Sequence, residues 1–461
     1  MTNDNLAARP KTPMPDERND QPSTTLPRRS PDRRENALFR RLSAIRLKLS
    51  MWGFKGAINW ALRQRRMNRE RRSFLDNARK YPFPVPERGV TILGPISAFG
   101  SLSKVLRDFA FCLKDAGIPF QTFDTGEGGR SNEAADILTP PAEFRIGRFT
   151  HSVEMLVTKI PDGVVRKRSK ILFWEFNEGV CEGNPCILDN DDDIIAMSDF
   201  NYGYFKRTFA NRVVHRLPYP LRIDVSGIPG KAECRAKFGF NPTDFIVFYN
   251  FNYHSGFHRK NPLGVIKAFA ASMRAAPEAR LVFKTQEHDL FPALESEVLK
   301  LAESEGIRDR LVLFNDPLPH RDVYALTNAC DVYCSLHRAE GFGLGIAEAM
   351  ALSKAVVATD YSATTEFCKP QNSLLVPFRL TEATPAELAD APSYRWCRQW
   401  ADPDLDAAAD ALRRLYRDRD LRLELGAAAC AFVNEKYSTE NFRKAVERWL
   451  DADNDVGGSA K

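Results

Sequence analysis

Two glutamates, Glu340 and Glu348, are separated by seven residues that begin with the turn Gly341-Phe342-Gly343-Leu344-Gly345. An ionised carboxylate accepts two hydroxyl hydrogen bonds, so such a pair suits a polyhydroxylated ligand. The glycine turn precedes an apolar helical pattern, and its small residues let backbone N–H groups and the helix dipole approach an anion. About eighty residues upstream, Arg259 and Lys260 stand before Asn261-Pro262 and can supply cationic donors. Cations, amides and hydroxyl acceptors together describe a site for an anionic, hydroxyl-bearing ligand that needs no metal. The run Asp189 to Asp193 (DNDDD) contains the D-x-D spacing that can hold a divalent cation, but the surrounding DDIIAMSDF reads as the start of an apolar strand. The seven histidines show no pair with metal-ligand spacing and carboxylate support; His254 and His337 fall near the motifs and read as hydrogen-bonding groups.

These residues need strands and helices to hold them. Apolar runs at 90–93, 120–123, 153–158, 170–174, 194–197 and 213–217 read as strands, with a helix over 102–116 behind the turn 94–101. That turn, carrying Gly100 and Ser101, has neither the Lys of a Walker A loop nor dinucleotide-fingerprint spacing. After the segment 217–224, which reads as a linker, strands at 245–249, 281–284, 311–315, 332–335, 355–358 and 373–376 alternate with helical patterns, one of them opened by Pro262. Two successive βα arrays imply an α/β protein of two Rossmann-like domains facing across a cleft, with ligands at the carboxyl ends of the strands.

The 461 residues, 43% hydrophobic and 27% charged, fit two globular units with extensions. No apolar run is long enough to span a bilayer, and no leader pattern opens the chain, which points to the cytoplasm. Nine scattered cysteines fit free thiols, and the close pairs Cys181/Cys186 and Cys330/Cys334 lack His partners for zinc. The net charge of +6 is uneven: residues 28–80 hold 17 Lys/Arg against 4 Asp/Glu, so the rest of the chain is acidic. Residues 1–34 are Pro/Arg-rich, polar and read as disordered. Within 35–83, Leu38, Leu42, Ile45, Leu49 and Trp52 recur at helical spacing among Arg and Lys, a basic amphipathic extension. It suits the anionic surface of a membrane's cytoplasmic face, or packing on the enzyme body or a partner. No nucleic-acid recognition motif accompanies the charge.

The stretch SLHRAEGFGLGIAEAMALSKAVVATD, residues 335–360, resembles the signature of family four (group 1) of the GT-B glycosyltransferases, whose mark is two glutamates at this spacing. FHRKNPLGVIKAFA resembles the family's phosphate-binding Lys region. FWE with DDIIAMSDF resembles the first domain of enzymes that build bacterial O-antigens and exopolysaccharides. The resemblance runs over about residues 88–450 and divides the chain at 84–220 (acceptor side), 221–438 (nucleotide-sugar side) and 439–452, a last helix crossing back onto the first domain. It implies a retaining hexosyltransferase acting on a nucleotide-sugar and a glycan or lipid-linked acceptor without a metal or other cofactor. By resemblance Glu340 holds donor-sugar hydroxyls and Glu348 the ribose, with Lys260 on the diphosphate. Phe342, Leu344 and the turn glycines are expected at the donor, Gly100 and Ser101 at the acceptor-side loop. Ser255 stands where the family has an Arg, which makes Arg259 the substitute cation. Glu175 stands where many relatives have a His, and Glu366 lies in SATTEF, without the family's flanking glycines, as a donor residue or a helix cap. A GT-B phosphorylase or epimerase shares these features, as does a non-catalytic nucleotide-sugar scaffold.

Overall fold

Strands buried on both faces need helices on both faces, and the arrangement meets that need twice. The computed structural model describes residues 86–452, apart from residue 99 and the stretches 126–131, 141–142, 146, 156–166, 181–187, 189–192 and 224. The readings for 1–83, for Cys181 and Cys186 and for Asp189 to Asp192 lie outside the described residues. In the first domain β1 (Glu87–Gly94), α1 (Ser101–Asp115), β2 (Phe120–Asp124), β3 (Phe149–Glu154), β4 (Lys167–Leu172), β5 (Asp193–Ala196), α2 (Asp199–Thr208) and β6 (Val214–Arg216) follow in order. The six strands form a parallel sheet in the order β2-β1-β3-β4-β5-β6.

The second domain runs α3 (Lys231–Lys237), β7 (Phe245–Asn252), the single turn α4 (Phe257–Lys260), α5 (Pro262–Ser272), β8 (Ala279–Gln286), α6 (Pro292–Ser304), β9 (Leu311–Phe314), α7 (His320–Ala329), β10 (Val332–Ser335), α8 (Leu344–Ala351), β11 (Ala355–Thr359) and β12 (Leu374–Val376). Its parallel sheet has the order β12-β11-β10-β7-β8-β9. The chain starts at β7, winds outward to β9 and returns to β10 on β7's other side. The crevice between the ends of β7 and β10 is therefore the topological switch point, where open α/β sheets bind ligands.

Beyond β12 an antiparallel hairpin, β13 (Phe378–Glu382) with β14 (Gln399–Pro403), departs from the βα alternation. The sequence reading assigned nothing there. Helices α9 (Leu405–Arg417), α10 (Arg419–Lys436) and α11 (Thr439–Asp451) close the chain. In α11 the buried residues Phe442, Ala445, Val446, Trp449 and Leu450 recur at helical spacing, a single apolar stripe. That stripe lies on the first domain: the Phe442 and Phe109 rings meet edge-on at 5.1 Å and Trp449 meets His151 at 4.8 Å. Arg88 Nε donates to Asp451 Oδ1 at 2.9 Å.

Several strand boundaries differ from the apolar runs, and two of the differences have a plain cause. β3 spans 149–154 rather than starting at 153, because its polar residues His151, Ser152 and Glu154 are buried inside the sheet and break the apolar pattern. β4 ends at Leu172, since Phe173 and Trp174 leave the ladder: the Trp174 carbonyl accepts from Asn201 Nδ2 at 2.5 Å and its N–H donates to Asn201 Oδ1 at 3.3 Å. Their apolar character serves packing between domains, with Trp174 edge-on to Tyr394 of the hairpin at 5.4 Å. Every cysteine described is a free thiol, Cys330 and Cys334 included.

Candidate active site

Lys260 reaches the switch point because β7 ends in the short turn α4. Asn261 then adopts a left-handed backbone (φ 53°) and caps α5 by accepting from Gly264 N at 3.1 Å, with Pro262 at the first helical position. Asn261 Nδ2 also donates to the Leu336 carbonyl at 2.9 Å, which ties this turn to the segment leaving β10. Tyr249 Oη donates to the Lys260 carbonyl at 2.8 Å. So fixed, the Lys260 ammonium donates to Glu340 Oε1 in an ion pair that spans the crevice.

Arg259 braces this pair from behind. Its guanidinium is 2% exposed, donates to the carbonyls of Ala339 and Ser255, both at 2.6 Å, and lies 3.5 Å from Glu340 and 3.8 Å from Glu175. Burial opposes its charge, but the facing Tyr394, Glu175 and Glu340 overcome that and hold it cationic. Burial also pushes the Glu340 carboxyl upward, yet Lys260 and Arg259 prevail and hold it at about 2. The Lys260 ammonium shifts down, chiefly through burial, with Glu340 resisting. Two cations thus face two carboxylates.

Behind Glu340, His337 is fully buried, and burial lowers its pKa to about 4. A carbonyl can only accept, so the 3.3 Å contact of Nε2 with the Tyr361 carbonyl puts the single proton on Nε2, and Nδ1 accepts from Ser335 at 3.1 Å. His337 is a strut of the Glu340 turn, as is Ser362, whose Oγ accepts from Glu340 N at 2.9 Å.

The glycine turn works by close approach. A Cβ on Gly341 would lie 3.3 Å from the Trp174 carbonyl of the other domain, and the Gly341 carbonyl accepts from Ser198 Oγ at 3.0 Å. Gly343 has φ 91° at the N-terminus of α8. Phe342 is buried, stacked on Tyr219 at 4.1 Å and packed on Phe367 and Tyr437, so it anchors the turn to the core. Leu344 is half-buried in α8's first turn.

Glu348, on α8, is buried at the other side of the crevice. It accepts from Tyr324 Oη at 3.3 Å and lies 3.8 Å from Lys104 Nζ of α1, in the first domain. Lys104 also donates to Asp108 and, at 3.1 Å, to the Arg222 carbonyl in the linker. Burial raises both carboxyls, Glu348 and Asp108, with Lys104 opposing.

The remaining expected residues are placed as follows. Glu175 stands beyond β4, beside Arg259 and Tyr394. Ser255 Oγ donates to the Asn252 carbonyl at 3.2 Å, a bond within the turn. Glu366 accepts from the Asp199 N–H at the start of α2 and from Arg216 at 2.9 Å, so its carboxylate caps a helix across the domain boundary. Gly100 and Ser101 open α1, one turn before Lys104, with open space around Gly100. Asp193, the last of the acidic run, sits in β5 bonded to His215 at 3.0 Å. Among the described residues no group of three or more His, Cys, Asp or Glu could hold a metal ion.

The sequence reading missed Lys104, Asp108 and Ser198 because their sites come from the opposite domain. It missed Tyr394 because the hairpin carries no motif.

Two parallel-sheet domains meeting at a switch-point crevice, with a last helix crossing back, define the GT-B fold. Residues 231–391 match the family described as Glycosyl transferases group 1. Among solved structures, sucrose-phosphate synthase from Thermosynechococcus elongatus is similar at a TM-score of 0.57 and 16% identity, over 81% of this chain and 100% of that one. A glycosyltransferase from Rickettsia africae gives 0.54 and 12%, over 81% and 100%. HepE of Anabaena, solved with UDP and glucose, gives 0.53 and 14%, over 79% and 100%. No curated protein matches the chain in sequence. The structural likenesses show the fold, and the family match over the second domain supports glycosyl transfer.

Proposed function

We propose that this chain is a retaining hexosyltransferase that moves a sugar from a nucleotide-sugar to a glycan or lipid-linked acceptor in bacterial surface polysaccharide biosynthesis. The observation that carries the reading is the Lys260–Glu340 pair at the switch point, with Arg259 behind it and Glu348 on the next helix. The donor diphosphate takes Lys260, Glu340 turns to the sugar hydroxyls, and Glu348 meets the ribose. The bond from the sugar's anomeric carbon to the diphosphate breaks and the acceptor oxygen bonds to the same face. The acceptor proton passes to the departing phosphate oxygen, so no separate protein base is required. The enzyme contributes positioning and electrostatic stabilisation of the leaving group.

The test is hydrolysis and transfer across UDP-, GDP- and ADP-sugars, with the anomer of the product read by proton NMR. An inverted anomer would overturn retention. Turnover only with free phosphate, or of donor to its epimer, would favour the phosphorylase or epimerase, and binding without turnover the scaffold. Among the described residues no helix is long and apolar enough to cross a membrane. The basic segment 38–80 is proposed to hold the enzyme at an anionic surface, and deleting 1–80 is expected to reduce salt-sensitive co-sedimentation with anionic vesicles. Equal sedimentation with and without it would remove membrane contact from the reading.

A further inference from the structure

Beside the Lys260–Glu340 crevice the two domains line an open groove of about 750 Å³, within the range of about 300–1,000 Å³ common for ligand sites. Asn177, Asp199 and Phe200 line it from the first domain, the segment 360–366 from the second, and Lys436 from the end of α10. It does not include Lys260 or Arg259.

Its wall is built into the catalytic turn. Tyr361 carries the carbonyl that fixes His337, and Ser362 carries the hydroxyl that accepts from Glu340 N. Ser362 holds a left-handed backbone (φ 66°), a conformation that costs a serine free energy and that the Glu340 bond helps to stabilise. Ser362, which lines the groove, therefore holds the backbone of the residue whose carboxylate is proposed to hold the donor sugar.

Its chemistry differs from that of the donor crevice. Phe200 and Tyr361 present rings 6.4 Å apart at 69°. Asp199 and Glu366 both engage Arg216, and Lys369 donates to the Thr365 carbonyl at 2.6 Å. Asp360, Lys369 and Lys436 make no ion pair among the described residues, and the Lys436 ammonium lies 5.8 Å over the Tyr437 ring. Three carboxylates, Asp199, Glu366 and Asp360, balance three cations, Arg216, Lys369 and Lys436, and leave no surplus of positive charge for a diphosphate. They suit a neutral, polyhydroxylated ring, its C–H face on an aromatic ring and its hydroxyls on Asp360 and Lys436.

We infer that this interdomain groove is the acceptor site, and that it takes a neutral sugar ring packed on the Phe200 ring with its hydroxyls on Asp360 and Lys436. The inference rests on the glycosyltransferase reading, and the test separates the two. Methyl glycosides of glucose, galactose, mannose and N-acetylglucosamine are titrated by saturation-transfer NMR into the full chain, alone and with UDP, GDP or ADP. At least one glycoside is expected to bind. Phe200→Ala and Asp360→Asn are expected to weaken it about tenfold while leaving nucleotide affinity and donor hydrolysis unchanged. Asp360 is exposed and Asn keeps its shape, so this variant is not expected to unfold. Absence of glycoside binding, unchanged glycoside affinity in both variants, or parallel loss of nucleotide affinity would each overturn the acceptor assignment. Absence of hydrolysis of every nucleotide-sugar by the unaltered chain would instead overturn the underlying function, whatever the glycosides do.

Discussion

Lys260 and Glu340 hold each other in the absence of a donor, and this shapes what their removal does. Lys260→Ala removes a cation from the proposed diphosphate site, so binding of the nucleoside diphosphate should weaken by about 1.5–3 kcal/mol while that of the free nucleoside hardly changes. Calorimetry with both ligands checks it, and equal losses would make Lys260 a support of the fold. Glu340→Gln acts in the opposite sense on the same cation, because it frees Lys260 for the phosphates. Nucleoside diphosphate affinity should hold or tighten, whereas turnover should fall about 100-fold or more as the sugar loses its charged acceptor. Glu348→Gln should weaken the nucleoside diphosphate itself, by about 1–3 kcal/mol. Weaker nucleotide binding in Glu340→Gln but not in Glu348→Gln would reverse the two assignments.

At the scale of elements, the apolar runs located the strands of both sheets, because a parallel strand buried on both faces reads as a short hydrophobic run. They misplaced ends where burial has another cause: Phe173 and Trp174 are apolar for the domain contact, while His151 and Glu154 are polar inside β3. The motif residues on β7, β10 and α8 were legible because loops at strand ends keep recognisable spacing. The hairpin β13–β14 was not, since its role depends on partners far away in sequence. It sets Tyr394 against Trp174 and Phe176, with the Arg259 guanidinium 5.6 Å over the ring, and its Asp390 accepts from Phe257 N at the start of the Lys260 turn. Burial, and after it the Glu175 carboxylate, push the Tyr394 hydroxyl well above a tyrosine's usual range. The ring and the hydroxyl therefore do separable things. Tyr394→Ala should cost about 3–5 kcal/mol of stability through the cavity it leaves, and Tyr394→Phe about 1 kcal/mol. Denaturant melts of both variants decide this, and equal losses would mean that the hydroxyl, not the ring, joins the hairpin to the first domain.

The whole molecule is joined at its site. Ser198 bonds Gly341, Glu366 caps α2, Glu178 accepts from the N–H groups of Arg398 and Gln399, and α11 fastens the far side. The deepest of these ties is electrostatic: one ammonium, Lys104, faces two buried carboxylates, Asp108 of its own helix and Glu348 of the other domain. In the proposed function a ribose reaching Glu348 takes Lys104's place there, so the proposed donor binding and the domain contact compete for one group. Removing the ammonium in Lys104→Met leaves two carboxylates buried without their cation, which should cost about 3–5 kcal/mol near neutral pH. The cost should depend on pH in a definite direction. Burial already raises both carboxyls above their unfolded values, and without Lys104 they rise further. The folded state then binds more protons than the unfolded chain over the interval between the unfolded and folded pKa values, so stability is present below that interval and is lost as pH rises through it. Relative to the unaltered protein, Lys104→Met should be most destabilised at about pH 8 and recover toward pH 5, as protonation relieves the unpaired charge. Taking the difference between the two proteins cancels the opposite trend from His337, which is buried neutral and loses stability on acidification. Denaturant melts of both proteins across that range measure it, and a difference that stays constant with pH would mean that Asp108 and Glu348 do not depend on Lys104 for their charge.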